Sequence, residues 1–331
     1  MVDGTQIELR VGGAPFAPDP LPAGPAFARH DTFHPRHGWL KKAYELSLQT
    51  PDLFTRADAA LHLGVGKNMV RAIRYWAYAF GVLELGADQA GHPVSVRTEF
   101  GQRLLDEQSG LDPYLEDTAS LWLLHWRLVN RPELATAWHY TFFRFARAEF
   151  SARHLSVALQ EYVGQQWPDT RYADSSYEKD ASCILRMYGV QDDAGGAGED
   201  TIQCPFAELG LLRPGAEPGT FAFAVGPKAA LPARVVAATA LEYAARGAGA
   251  RTIALPRLVH DLGSPGMAFR LSESALYAAL ESVAAEEPAL SVAEAAGVVQ
   301  LAFEGDPLPL AERLWTEHYP TRAAAVTGAA A

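Results

Sequence analysis

Between Leu63 and Phe80 the apolar positions Met69, Val70, Ile73, Trp76, Ala77 and Phe80 recur at spacings of three and four, the stripe of a helix with one buried face. Lys67, Asn68, Arg71, Arg74 and Tyr75 fall on its other faces, and the segment from Gly64 to Phe80 holds no acid. The pattern predicts a helix that presents cations. Thr55, with Asp58 three residues on, has the spacing of an N-cap and its box partner, opening a shorter helix through Leu61 and Leu63 that stops at Gly64. Beyond the long helix, Val82 to Leu85 and Pro93 to Arg97 read as strands joined by a polar turn, and Thr98 to Leu105 as a closing helix. Short helix, glycine turn, basic helix and hairpin predict a winged helix-turn-helix.

The same reading extends to the rest of the chain. Residues 1–26, rich in Pro, Gly and Ala, are expected to form an arm or disordered lead-in, and residues 27–110 the winged-helix domain. Within it a helix from Gly38 to Gln49 would pack Leu40, Ala43, Tyr44 and Leu48 inward, with Lys41 and Lys42 facing out. Residues 111–191 carry aromatic-rich helical patterns around Trp122, Trp126, Trp138, Phe142 and Phe150, the density of a helical core. A helix capped by Ser175 runs to Gly189, and an Asp/Gly/Ala-rich stretch, 192–200, marks a loop. The remainder, 192–331, reads as a smaller α+β region: a strand over Thr220 to Val225, a helix over Pro232 to Arg246, then helices over Leu255 to Leu262 and Ser272 to Ala285 and a two-stranded hairpin ending near Ala302. That is a second, weaker winged-helix pattern. Its second helix carries Glu273 and Glu281, which suits a protein partner better than DNA. The fold class is mainly α.

Charge qualifies the picture. The chain of 331 residues carries a formal net charge of −11 and a pI near 5.4, so affinity for a polyanion must come from a local patch. Arg29 to Glu107 supplies one, with ten Lys and Arg against nine Asp and Glu. Arg36, Lys41, Lys42, Lys67, Asn68, Arg71, Arg74 and Tyr75 are the candidate DNA contacts: Lys and Arg for phosphates, Asn and Arg for base edges. The two cysteines, Cys183 and Cys204, form no metal or disulfide pattern and are expected buried and reduced. No apolar run approaches the roughly 20 residues of a membrane span, and a cytoplasmic location is expected.

Two clusters have the residue types for phosphodiester cleavage, which commonly uses Mg²⁺ held by carboxylates with a Lys or His assisting proton transfer. Glu178, Lys179 and Asp180, with Asp169 and Asp174 upstream, supply carboxylates and a cation. Glu178 and Asp180 are candidate ligands for Mg²⁺ or another divalent cation, or equally the acids of a helix first turn. The second cluster is His30, Asp31, His34 and His37. His30 and Asp31 are candidates for proton transfer or metal binding, or equally a buried hydrogen-bonded pair.

Four ordered blocks carry a family resemblance: Arg29 to Lys42, Val65 to Trp76, Asp112 to Asp117 with Leu121 to Trp126, and Tyr177 to Asp180 with Cys183 to Tyr188. They resemble the SspB family, formerly of unknown function and encoded beside DNA phosphorothioation genes. The resemblance implies a DNA-nicking component of a single-strand phosphorothioation and anti-phage defence system. It also implies double-stranded DNA as substrate, and work beside a cysteine desulfurase, an ATP-dependent sulfur-transfer enzyme and an ATPase. Two other readings stay open, a non-catalytic DNA-recognition adaptor for the sulfur-transfer enzymes and a winged-helix transcription factor.

Overall fold

The computed structural model describes residues 24–189, 204–247 and 249–320. Most of the expected arm and the stretch 192–200 lie outside the described residues. The last residues of the arm are tied down: the Pro25 carbonyl accepts from the Tyr172 hydroxyl at 2.6 Å and the Ala26 N–H donates to Thr136 at 2.8 Å.

The N-terminal elements follow the apolar stripes. α1 (Trp39–Gln49) buries Leu40, Ala43 and Tyr44, spaced by three and four, against α3 (Lys67–Ala79), while Leu48 is exposed. α2 (Ala59–Leu63) stops at Gly64, whose φ of 64° is the left-handed conformation of a helix end. The Thr55 to Asp58 box does not form. Thr55 sits in a 3₁₀ turn and its hydroxyl donates to the Asp52 carbonyl, so the helix begins three residues later than expected, with Asp58 at its N-cap. β1 (Leu83–Ala87) and β2 (Pro93–Arg97) pair antiparallel, and the Ser95 N–H reaches the Pro51 carbonyl at 2.7 Å, tying the hairpin back to the turn before α2.

α4 (Glu99–Leu105) is capped by the Thr98 hydroxyl accepting from the Gly101 N–H. A Cβ at Gly101 would stand 2.2 Å from the Val82 carbonyl oxygen, closer than any packing allows. Gly101→Ala is therefore expected to cost about 1–3 kcal/mol through forced backbone displacement. Thermal melting checks it, and an unchanged melting temperature would refute the close approach.

The centre is helical as expected. α5 (Thr118–Val129) buries Leu121, Trp122, Leu123, Leu124, His125 and Trp126 in succession, so it is apolar on all sides and lies in the middle of the core. α6 (Thr136–Phe143), α7 (Ala152–Gln166) and α8 (Asp174–Tyr188) surround it. α8 starts one residue before Ser175, and Ala173 at its N-cap supplies no side-chain bond. Trp122, Trp126, Trp138, Phe142 and Phe150 are all buried, with Tyr114 left exposed. His125, enclosed among them, hydrogen-bonds Tyr188 through Nδ1 and the Ala268 carbonyl through Nε2, and burial pushes its pKa down to about 3. It is a neutral core residue.

The C-terminal part adds a small hairpin, β3 (Leu212–Pro214) with β4 (Phe221–Phe223), then α9 (Ala233–Ala244), β5 (Thr252–Ala254), α10 (Leu255–His260), α11 (Pro265–Phe269), α12 (Glu273–Ala284), β6 (Leu290–Ala295), β7 (Val298–Phe303) and α13 (Pro307–Thr316). The expected two-stranded hairpin is three-stranded, because β5 joins β7 on the side away from β6, with Ile253 opposite Leu301. α13 packs on α9, and Tyr319 beyond it meets the Ser120 hydroxyl at 2.9 Å. One contiguous cluster of buried apolar residues consequently runs from Phe27 to Tyr319. No helix among the described residues is long and apolar enough to cross a membrane.

Candidate nucleic-acid interface

α3 buries Val70, Ala72, Ile73, Trp76, Ala77 and Ala79 and leaves Lys67, Asn68 and Arg71 exposed on its first two turns. Gly66 precedes it without any side-chain cap, so this end offers backbone N–H groups beside the Lys67 ammonium. Arg71 donates from Nε to Asp31 at 2.5 Å and from Nη2 to Asn68 at 2.8 Å. Arg74 is half-buried, its guanidinium 5.5 Å from the Tyr78 ring centre.

Two of the expected DNA contacts are drawn inside instead. Tyr75 is buried beside His30 and Trp76, which pushes its phenol well above the usual range. Lys41, expected to face out, is 6% exposed; it donates to the Leu105 carbonyl and pairs with Glu45 and Glu107. Those partners satisfy its charge, so it is not free for phosphate. Lys42 is exposed but donates to the Leu63 carbonyl at 3.0 Å, tying α1 to the end of α2. Arg36 is half-buried against the Phe33 and Trp39 rings.

Behind α3 the structure brings together two residues that lie 150 apart in sequence. His30 Nε2 meets Asp180 Oδ1 at 2.9 Å, and the same oxygen accepts the Ala28 N–H at 2.8 Å. The partner of His30 is thus Asp180 of α8, and Asp31 turns away to Arg71. Both members of the pair are buried, at 0% and 2% exposure, with the His30 ring between Trp76 and Trp138. Burial by itself lowers the His30 pKa, but the Cys183 sulfur and the Asp180 carboxylate together outweigh it and hold the imidazole above its ordinary range. Burial raises Asp180, with the His30 contact pulling part of the way back. A proton is therefore held tightly within the pair.

The other candidates do not converge. Glu178 and Lys179 are exposed on α8, whereas Asp180, two residues after Glu178 and about 200° further round the helix, points into the core. Glu178 and Asp180 share no coordination point. His34 is buried and His37 exposed, so the four-residue His and Asp cluster is dispersed as well. Asp174 accepts from Gln160 at 3.0 Å. Both cysteines are free and buried, as expected.

The pairing of Asp31 with Arg71 was not apparent from sequence, which offered no signal linking residues 40 apart.

The profile of a family described as a protein of unknown function (DUF4007) matches residues 27–319. The chain belongs to this family. Among solved structures it is similar to a magnesium ion-bound SspB crystal structure, with 38% identity, a TM-score of 0.83, and 90% of this chain and 91% of that chain covered. A second SspB crystal structure gives 39% identity, a TM-score of 0.82, and coverage of 89% and 88%. None of the curated proteins matches. These likenesses bear out the SspB-family resemblance seen in the four sequence blocks. Among the described residues no group of three His, Cys, Asp or Glu side chains is placed to hold a metal ion; magnesium shared between one or two carboxylates, water and a phosphate does not require such a group.

Proposed function

We propose that this chain is the DNA-engaging component of a single-strand DNA phosphorothioation and phage-defence system, and that it binds duplex DNA through α3 and nicks one strand. The observation that carries the reading is the exposed Lys67, Asn68 and Arg71 edge of a helix whose opposite face is locked into the core. Set after a short helix and a left-handed glycine turn and before an antiparallel hairpin, this edge has the placement of a recognition helix in a winged helix. The SspB-family membership supports the system, and with it the cysteine desulfurase, sulfur-transfer enzyme and ATPase as working partners and Mg²⁺ as the cation for strand cleavage.

The burial of His30 and Asp180 favours a second reading, a DNA-recognition adaptor without its own hydrolysis. At 0% and 2% exposure neither side chain reaches a phosphate. Incubating the pure protein with supercoiled plasmid and Mg²⁺ separates the two. Conversion to open circles that EDTA abolishes is the expected result; shifted but uncut plasmid would replace the nickase by the adaptor, and unshifted plasmid would remove both.

A further inference from the structure

The segment before α1, held between α8 and α3, is bent in an unusual way. Ala28, Asp31 and Thr32 have φ of 56°, 46° and 70°, left-handed values that side chains other than glycine adopt at a cost, most of all a β-branched threonine. Contacts from both helices hold it there. Asp180 takes the Ala28 N–H and His30, Arg186 donates to the Thr32 carbonyl at 2.7 Å, and the Trp76 indole donates to the Phe33 carbonyl at 3.0 Å. The product of this arrangement is the position of one carboxylate, that of Asp31.

We propose that Asp31 aims the Arg71 guanidinium at a guanine and so sets the base preference of α3. The inference rests on the reading of α3 as a DNA-binding helix. Of the five N–H groups of a guanidinium, Arg71 spends Nε on Asp31 and one Nη2 proton on Asn68. Both Nη1 protons and one on Nη2 are left, enough for the two-bond fork that arginine makes to guanine O6 and N7. The Arg71 side chain is 61% exposed and Asp31 27%, so the free donors face outward while the gripped edge is partly shielded.

Charge distinguishes this role from simple phosphate binding. A carboxylate beside cations that only met phosphates would weaken binding to every sequence alike. Gripping the guanidinium by two of its donors removes rotational freedom from a long side chain and points the rest in one direction, which matters for a base edge and hardly at all for a phosphate. Asp31 is therefore a positioning residue, acting on DNA through Arg71.

The test uses a randomised duplex library, sequenced before and after binding to the full chain. Asp31→Gly suits the left-handed backbone and removes only the carboxylate. It is expected to flatten a guanine preference by about fivefold or more, while affinity for the unselected library stays level or rises and the melting temperature holds. Asp31→Asn, which keeps an acceptor oxygen, should retain part of the preference, and Arg71→Gln should abolish it. A guanine preference that persists in Asp31→Gly but vanishes in Arg71→Gln overturns the inference while leaving the DNA reading intact. Library binding that Arg71→Gln leaves unchanged overturns the α3 reading and the inference with it. Uniformly weaker binding together with a lowered melting temperature in Asp31→Gly overturns the inference in favour of a structural role.

Discussion

Asp180→Ala lowers the stability of the folded chain by about 3–5 kcal/mol, the range for stranding one member of a buried ion pair. With His30 at 0% exposure, no water replaces the lost carboxylate, and the Ala28 N–H loses its acceptor as well. The melting temperature should fall by on the order of 10 °C. His30→Ala should do comparable damage, and the double variant should cost less than the sum, because removing both partners removes the unsatisfied one. Additive losses below about 1 kcal/mol each would mean the pair does not hold the fold. Any strand cleavage, measured per folded molecule, should survive in both single variants, since neither side chain touches solvent.

The pair also gives stability a direction with pH. His30 and Asp180 are both raised in the folded state, so each binds its proton more tightly folded than unfolded. The contribution of His30 is complete below its unfolded value of about 6.5 and declines as pH climbs from there through the raised folded value. Melting temperature should fall with rising pH over that interval, and His30→Gln should flatten the slope. A slope unchanged by that substitution would assign the dependence to other groups.

What the sequence made legible was periodic. The Val70, Ile73, Trp76, Ala77 stripe located α3, Gly64 its predecessor's end, and alternation the β1 and β2 hairpin, because each signal is complete within a dozen residues. β5 escaped notice since three residues, Thr252 to Ala254, are too few to show a period of two. α11, five residues opened by a proline, is missed for a similar reason, whereas the ten-residue α13 carries Pro307 and Pro309 in its first turn, residues that mask a helical period. Lys41 illustrates a different limit. On α1 alone it belongs to the polar side; it is buried because Leu105 and Glu107, more than sixty positions away, close over it. The candidate site divides the same way. His30 and Asp180 were each singled out for their chemistry, but their pairing spans 150 residues and depends on how α8 packs against the segment before α1. No local pattern encodes that.

Replacing Lys67, Arg71 and Arg74 together by Ala should weaken duplex binding far more than any substitution elsewhere on the surface. Each phosphate contact contributes about 0.9 to the slope of log K against log salt, roughly an eightfold gain at 0.1 M over 1 M salt. Two lost phosphate contacts, from Lys67 and Arg74, then amount to about sixtyfold at 0.1 M and shrink the slope by about two, and the loss of Arg71 from its base edge adds about fivefold or more. Arg74, half-buried over Tyr78, sets the lower bound, because its charge partly serves that ring. A chain of net charge −11 has little general attraction for DNA to fall back on, so the loss should be nearly complete at physiological salt. The fold should persist, since Lys67 and Arg71 are exposed and the buried stripe of α3 is untouched. Binding measured across a salt series, with melting on the same preparations, decides it. A triple variant that melts like the wild type and binds with the same affinity and slope would move the interface to another face of the molecule.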